Sequence, residues 1–186
     1  MHPHWYSASP EIQRRLISRY LRSIDTQPSP DGPVASALLS DFQFSSPHDV
    51  AAVLRWGLRH LRLHSDHFGT DEGWYKVFLE GEEQSGYPLN AFSDKLATLL
   101  PADNFDLLIA TLEIFSSLAA HAEVNGASGS KLSKMFGLWL LTSNRVTKAE
   151  DWKAFYSRWE QMGRMLEHLF LARIRYVYYG DQFHDF

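Results

Sequence analysis

From Leu107 to Ala122 the only charged residue is Glu113. Leu108, Leu112, Phe115 and Ala119 recur at helical spacing, and Leu107, Ile114 and Leu118 occupy the adjoining faces. A helix this apolar around its girth is buried in a soluble protein, so the pattern predicts a central helix that others wrap. Asp103 and Asp106 suit its start, where acids meet the positive end of the dipole. Asn125-Gly126 suits its stop, because both residues tolerate a left-handed backbone. Ser128 is placed to cap a further helix, Lys131 to Leu141.

Other segments also read as helices. Ser9-Pro10-Glu11 opens one, with Ile12, Leu16, Tyr20 and Ile24 on one face and Arg14, Arg15, Arg19 and Arg22 around the others. Thr26 to Phe44, with Pro28, Pro30, Gly32, Pro33 and several serines, reads as a surface loop. Ser46-Pro47-His48-Asp49 is the clearest capping signal. The helix it opens buries Val50, Val53, Leu54, Leu58 and Leu61, while Arg55, Arg59 and Arg62 line one basic stripe. Gly69 to Gly73 is a turn, Trp74 to Glu83 a short helix and Asn90 to Leu100 another. Thr147-Lys-Ala-Glu150 is a capping box for a long last helix towards Tyr179, with Trp152, Phe155, Trp159, Met162, Leu166, Leu169 and Ile174 as its seam and Gly163 as a point where it can bend. No stretch alternates as a strand does. The class is all-α, about seven helices in one domain, residues 1–186.

Composition narrows the function. The 186 residues fit one core. The net charge of −4 argues against a nucleic-acid binder. With no cysteine, disulfides and thiolate chemistry are excluded, which is compatible with a cytoplasmic setting. No apolar run reaches membrane-spanning length, and the N-terminus lacks the features of a secretory signal.

Chemical motifs are sparse. His60, His64 and His67 have ligand-like spacing but no companion motif, so no metal or cofactor is expected. Gly126 to Ser133 imitates a phosphate loop but has Ser130 where glycine must precede the lysine, and it follows a helix rather than a strand. Ser128-x-x-Lys131 matches one β-lactamase element without the others. Glu82-Glu83 reads as a solvated acidic pair. Nothing in these residues nominates an enzyme.

The run Leu118-Ala-Ala-His-Ala-Glu-Val-Asn125, followed by Lys131-Leu-Ser-Lys-Met-Phe-Gly137-Leu-Trp-Leu-Leu141, resembles the most recognisable segment of RhoGAP domains, "-AxHxxxN" leading into "-NLAxxFGPxLL". The wording is closer to the fungal morphogenesis (Msb/Mug) proteins, whose domain is RhoGAP-like. Val50 to Leu61 is similar to the family's "VxxxLKxFLREL" helix, so that its basic pair falls on Arg55 and Arg59. Leu99-Leu-Pro101-Ala-Asp-Asn104-Phe resembles "LPxxNxxxL". The likeness extends over Ser46 to Tyr176.

The resemblance implies a RhoGAP-like multi-helix bundle around a buried central helix and a Rho-type small GTPase as partner. RhoGAP domains insert an arginine that stabilises phosphoryl transfer, worth about 10³–10⁵ in rate. In this chain Trp5 stands at that position. The family's preceding helix is missing, which raises the expectation of a fragment or shortened gene product. Asn125 keeps the asparagine of the central motif, while Lys131 and Leu138 replace the asparagine of "NLA" and the proline of "FGP". The expected function is a catalytically impaired module that binds its partner through Arg55, Arg59, Arg62, Asn125 and Lys131 and serves as a scaffold in polarised growth, in the cytoplasm or at the cell cortex. Other polarity proteins are further candidate partners. Two alternatives stay open: an active GTPase-activating protein with a displaced arginine, and an interaction domain with no GTPase partner. The missing first helix also leaves room for self-association.

Overall fold

A computed structural model describes residues 8–26, 33–61, 67–142 and 151–180. Helix is the only regular structure among them, apart from one isolated antiparallel bridge between His67 and Thr142. The all-α expectation is met. The chain divides into two compact units, Met1–His60 and Leu61–Phe186.

Among its described residues the first unit holds three helices: α1 (Pro10–Thr26), α2 (Pro33–Gln43) and α3 (Pro47–His60). The Oγ of Ser9 accepts the amide of Ile12 at 3.4 Å, which confirms the predicted start of α1. At the start of α3 the Oγ of Ser46 accepts the Asp49 amide at 3.2 Å and donates to the Asp49 carboxylate at 2.7 Å. Asp49 is buried and also accepts the Ser9 amide at 2.7 Å, so one carboxylate caps α3 and anchors α1. Leu16, Leu38, Val53 and Leu58 supply the core.

The stretch expected as a loop, Thr26 to Phe44, holds α2 over most of its described part. The prolines and serines drew attention to the connection, but Pro33 sits at the first helical position, where proline is well tolerated. Behind it Leu38 packs inward, and Arg19 of α1 pairs with Asp41.

The second unit contains α4 (Trp74–Gln84), α5 (Ala91–Asp94), α6 (Leu96–Leu99), α7 (Ala102–Ala119), α8 (Ala122–Asn125), α9 (Gly129–Leu141) and α10 (Trp152–Gly180). The expected helix over Asn90 to Leu100 is present but divided at Lys95. The Lys95 ammonium donates to the Gly81 carbonyl and the Ser85 hydroxyl, both at 2.6 Å, and so closes the C-terminal end of α4.

The central apolar helix, α7, buries one face: Asn104, Leu108, Thr111, Leu112 and Phe115. Ile114 and Leu118 on its other side are 42% and 40% exposed. The most enclosed helix is α9, with Leu132, Ser133, Phe136, Gly137, Leu138, Leu140 and Leu141 all buried. Glycine makes this possible. A Cβ on Gly137 would stand 2.6 Å from the Met162 carbonyl carbon and 2.8 Å from the Gly163 nitrogen of α10. A Cβ on Gly163 would approach the Lys134 Cα at 3.1 Å. The two backbones therefore cross at near contact. Gly163 serves that crossing and α10 runs on through it unbroken. The seam of α10 is buried in its middle, at Leu166, Leu169 and Phe170, and open at its ends, where Trp152 and Ile174 are exposed.

The stop signal Asn125-Gly126 ends the short α8 rather than α7, with Gly126 at φ 67°. Ser128 caps α9 as expected, its Oγ accepting the Lys131 amide at 3.3 Å. The capping box Thr147 to Glu150 lies outside the described residues. At the start of α10 the Asp151 carboxylate accepts the Ala154 amide at 2.7 Å.

Candidate functional site

The sequence-predicted interface residues fall in both units. Arg55 and Arg59 lie one turn apart on α3 in the first unit, Arg55 half-buried and Arg59 exposed. Arg62 and the Trp5 position lie outside the described residues. Asn125 and Lys131 belong to the second unit, at the corner between α8 and α9.

At that corner both side chains have internal work. The Asn125 amide donates to the Leu118 carbonyl at 2.8 Å, and its oxygen accepts the Ala127 amide at 2.7 Å. It thus ties the end of α7 to the start of the turn and leaves one amide hydrogen over. The Lys131 ammonium donates to the Gly126 carbonyl at 3.0 Å. The apparent phosphate loop, Gly126 to Ser133, is this corner. Next to it Gly129 lies against the Phe170 ring, so that any side chain there would collide with the aromatic.

Of the three histidines with ligand-like spacing, His60 donates from Nδ1 to the Trp56 carbonyl, 2.7 Å away, and stacks on the Trp56 ring. His64 lies outside the described residues. Among the described residues no group of three His, Asp or Glu side chains is placed to hold a metal ion. No helix among them is long and apolar enough to cross a membrane.

Sequence reasoning missed one polar cluster. Glu83 is exposed, but Glu82, expected to be solvated with it, is fully buried. The carboxylate of Glu82 pairs with Arg175, and its Oε2 lies 2.7 Å from the Nε2 of His168, off the line of an ideal hydrogen bond. The Nδ1 of His168 is 3.0 Å from the Tyr75 hydroxyl. Burial, with the Glu82 charge second, pushes the Tyr75 phenol up to about 12. Tyr75 and Glu82 are seven residues apart on α4, and so are His168 and Arg175 on α10. Seven residues are two helical turns, so the pairs meet as two rungs between the helices. That matched spacing is the signal the sequence carried.

Around this cluster the α4 exit is held in a left-handed turn. Gly86 has φ 69° and Tyr87 φ 57°, and the Tyr87 amide donates to the Glu82 carbonyl at 2.8 Å. A positive φ is unfavourable for tyrosine. The Arg175 guanidinium over the Tyr87 ring, 5.5 Å from its centroid, helps to hold it there. On the other side Tyr75 opens onto a recess of about 360 Å³ that is also lined by Ser157, Gln161, Arg164 and Met165.

Comparison with known proteins agrees with the fungal branch of the sequence resemblance. No curated protein and no solved structure matches the chain. The family model of the meiotically up-regulated protein Msb1/Mug8 domain matches residues 3–182, taking in both units. The chain therefore belongs to the Msb1/Mug8 domain family.

Proposed function

We propose that this chain is a RhoGAP-like interaction module that binds a Rho-type small GTPase without accelerating hydrolysis efficiently, and so acts as a scaffold in cell polarity and morphogenesis. The observation that carries the reading is α3. It places Arg55 and Arg59 one turn apart, on the segment whose wording matches the basic helix of RhoGAP domains. Membership of the Msb1/Mug8 family supports it, as does the order in which "LPxxN", the asparagine-ended helix and "FG" follow. The pseudo-enzyme part rests on sequence alone: Trp5 occupies the aligned position of the catalytic arginine.

Two assays test the reading. The double variant Arg55→Glu/Arg59→Glu, at a site dominated by charge, should weaken GTPase binding by at least about tenfold through like-charge repulsion. Unchanged affinity rejects α3 as the contact. Single-turnover GTP hydrolysis at saturating protein should run at the intrinsic rate of the GTPase. A large acceleration rejects catalytic impairment.

A further inference from the structure

Helices α1 and α2 run antiparallel. α2 ends at Gln43 and α3 starts at Pro47, where Asp49 holds the Ser9 amide at the head of α1. The end of α2 therefore lies beside the start of α1. Between the two helices Arg19 pairs with Asp41. One turn on from that pair, backwards along α1 and forwards along α2, stand Arg15 and Phe44. Phe44 keeps its place on the last helical turn, because its amide donates to the Ser40 carbonyl at 3.2 Å. The matched positions bring a cation and an aromatic ring to the same corner of the first unit, with Arg14 next to Arg15.

Phe44 is 89% exposed, more than any other large apolar side chain among the described residues. Its chain neighbours Gln43, Ser45 and Ser46 are polar, so it projects as a single apolar tip. Arg14 and Arg15 are exposed as well, and neither pairs with an acid among the described residues. The chain carries −4 overall, yet residues 1–60 hold six arginines against five acids. Of those acids Asp49 is buried, Asp41 is engaged by Arg19, and Glu11 sits in the first turn of α1, where the helix dipole offsets it. Asp25 stands at the far end of the same helix. The corner is positive around a bare ring.

We propose that this corner docks on an anionic phospholipid bilayer, with Phe44 entering the boundary between headgroups and acyl chains and Arg14 and Arg15 meeting the headgroup phosphates. A protein partner buries a contiguous apolar patch with a packed centre, and a single projecting ring offers little of that. A fluid lipid surface closes around such a tip without a matching pocket. The flanking arginines fix the sign of the surface, since each adds about fivefold to binding near anionic lipid. The contact is peripheral and needs no spanning helix, and none is present among the described residues. It uses α1 and the turn after α2, and it does not rest on GTPase binding through α3.

The experiment is sedimentation of the full chain with vesicles of phosphatidylcholine alone or with about one third phosphatidylserine, at about 0.05 M and about 0.5 M salt. The expected result is binding at least about tenfold tighter to the anionic vesicles at low salt, most of it lost at high salt. Arg14→Gln/Arg15→Gln should weaken that binding by at least about tenfold, and Phe44→Ser by about tenfold. All three side chains are exposed, so the variants should fold, which circular dichroism checks. Lys76→Gln/Lys153→Gln removes the same charge from exposed positions of the second unit and should leave affinity within about threefold. The chain has no cysteine, so Phe44→Cys takes a polarity-sensitive dye at that position alone. Its emission should shift to the blue on anionic vesicles. Binding to neither vesicle overturns the proposal and assigns the corner to an acidic protein surface instead. Equal binding to both vesicles, equal losses in the two charge pairs, an unshifted dye, or full affinity in folded Phe44→Ser protein also overturns it.

Discussion

At the scale of single residues the second unit depends on Glu82. A carboxylate with no solvent exposure is tolerable here because Arg175 pairs with one of its oxygens, while the His168 Nε2 lies 2.7 Å from the other. Glu82→Gln keeps the shape, removes the charge and leaves Arg175 without its counter-ion. Breaking a buried pair in this way costs about 3–5 kcal/mol, and the partial exposure of Arg175 brings the expectation to about 2–4. Urea denaturation followed by circular dichroism measures it, and an unchanged midpoint would contradict the account. Tyr75 adds a pH term. Its folded value is raised from 10 to about 12, so the stabilisation is fully present below pH 10 and is lost as pH rises through the folded value. A two-unit shift corresponds to about 2.7 kcal/mol, which solvent on the open side of Tyr75 reduces to about 1–2. The alkaline fall in stability should therefore be shallower in Tyr75→Phe than in the parent chain, and equal slopes would count against the cluster.

At the scale of elements the α9–α10 crossing organises the second unit. Alanine at Gly137 would drive a methyl group into the Met162 carbonyl, which is backbone and cannot swing aside. Overpacking of this kind costs about 1–3 kcal/mol, more than the roughly 0.5–1 kcal/mol that alanine gains over glycine in a helix. At Gly163 the nearest contact is 3.1 Å, so Gly163→Ala should lie close to neutral. Thermal melts of both variants check the order, and Gly163→Ala proving the more damaging would reject this view of the crossing. Much at this scale was readable in advance. Ser9, Ser46 and Ser128 start helices where capping chemistry places them, because a cap is a local bargain between a hydroxyl and nearby amides. What was not readable was tertiary. The prolines near residue 30 concealed α2, whose inward face rests on Leu38 alone among the described core residues. The apolar girth of α7 overstated its burial, since periodicity records which faces are greasy and not which are covered. Glu82 was misplaced for the same reason: its partners lie 86 and 93 residues along the chain, 168 − 82 and 175 − 82.

At the scale of the whole molecule, the family match extends over residues 3–182, so the described helices of both units belong to one family segment. The partner-binding residues expected from the sequence were legible as types and not as contacts. Asn125 and Lys131 hold their own corner together, and Arg55 and Arg59 stand on α3, in the segment that resembles the basic helix of RhoGAP domains. The central claim is that this helical chain recognises a Rho-type GTPase without turning it over. The most direct measurement is calorimetric titration of the chain against a panel of fungal Rho-type GTPases, each loaded with GDP or with a non-hydrolysable GTP analogue. The account predicts saturable binding to at least one member, with preference for the GTP form. Absence of binding to every member in both nucleotide states would contradict it.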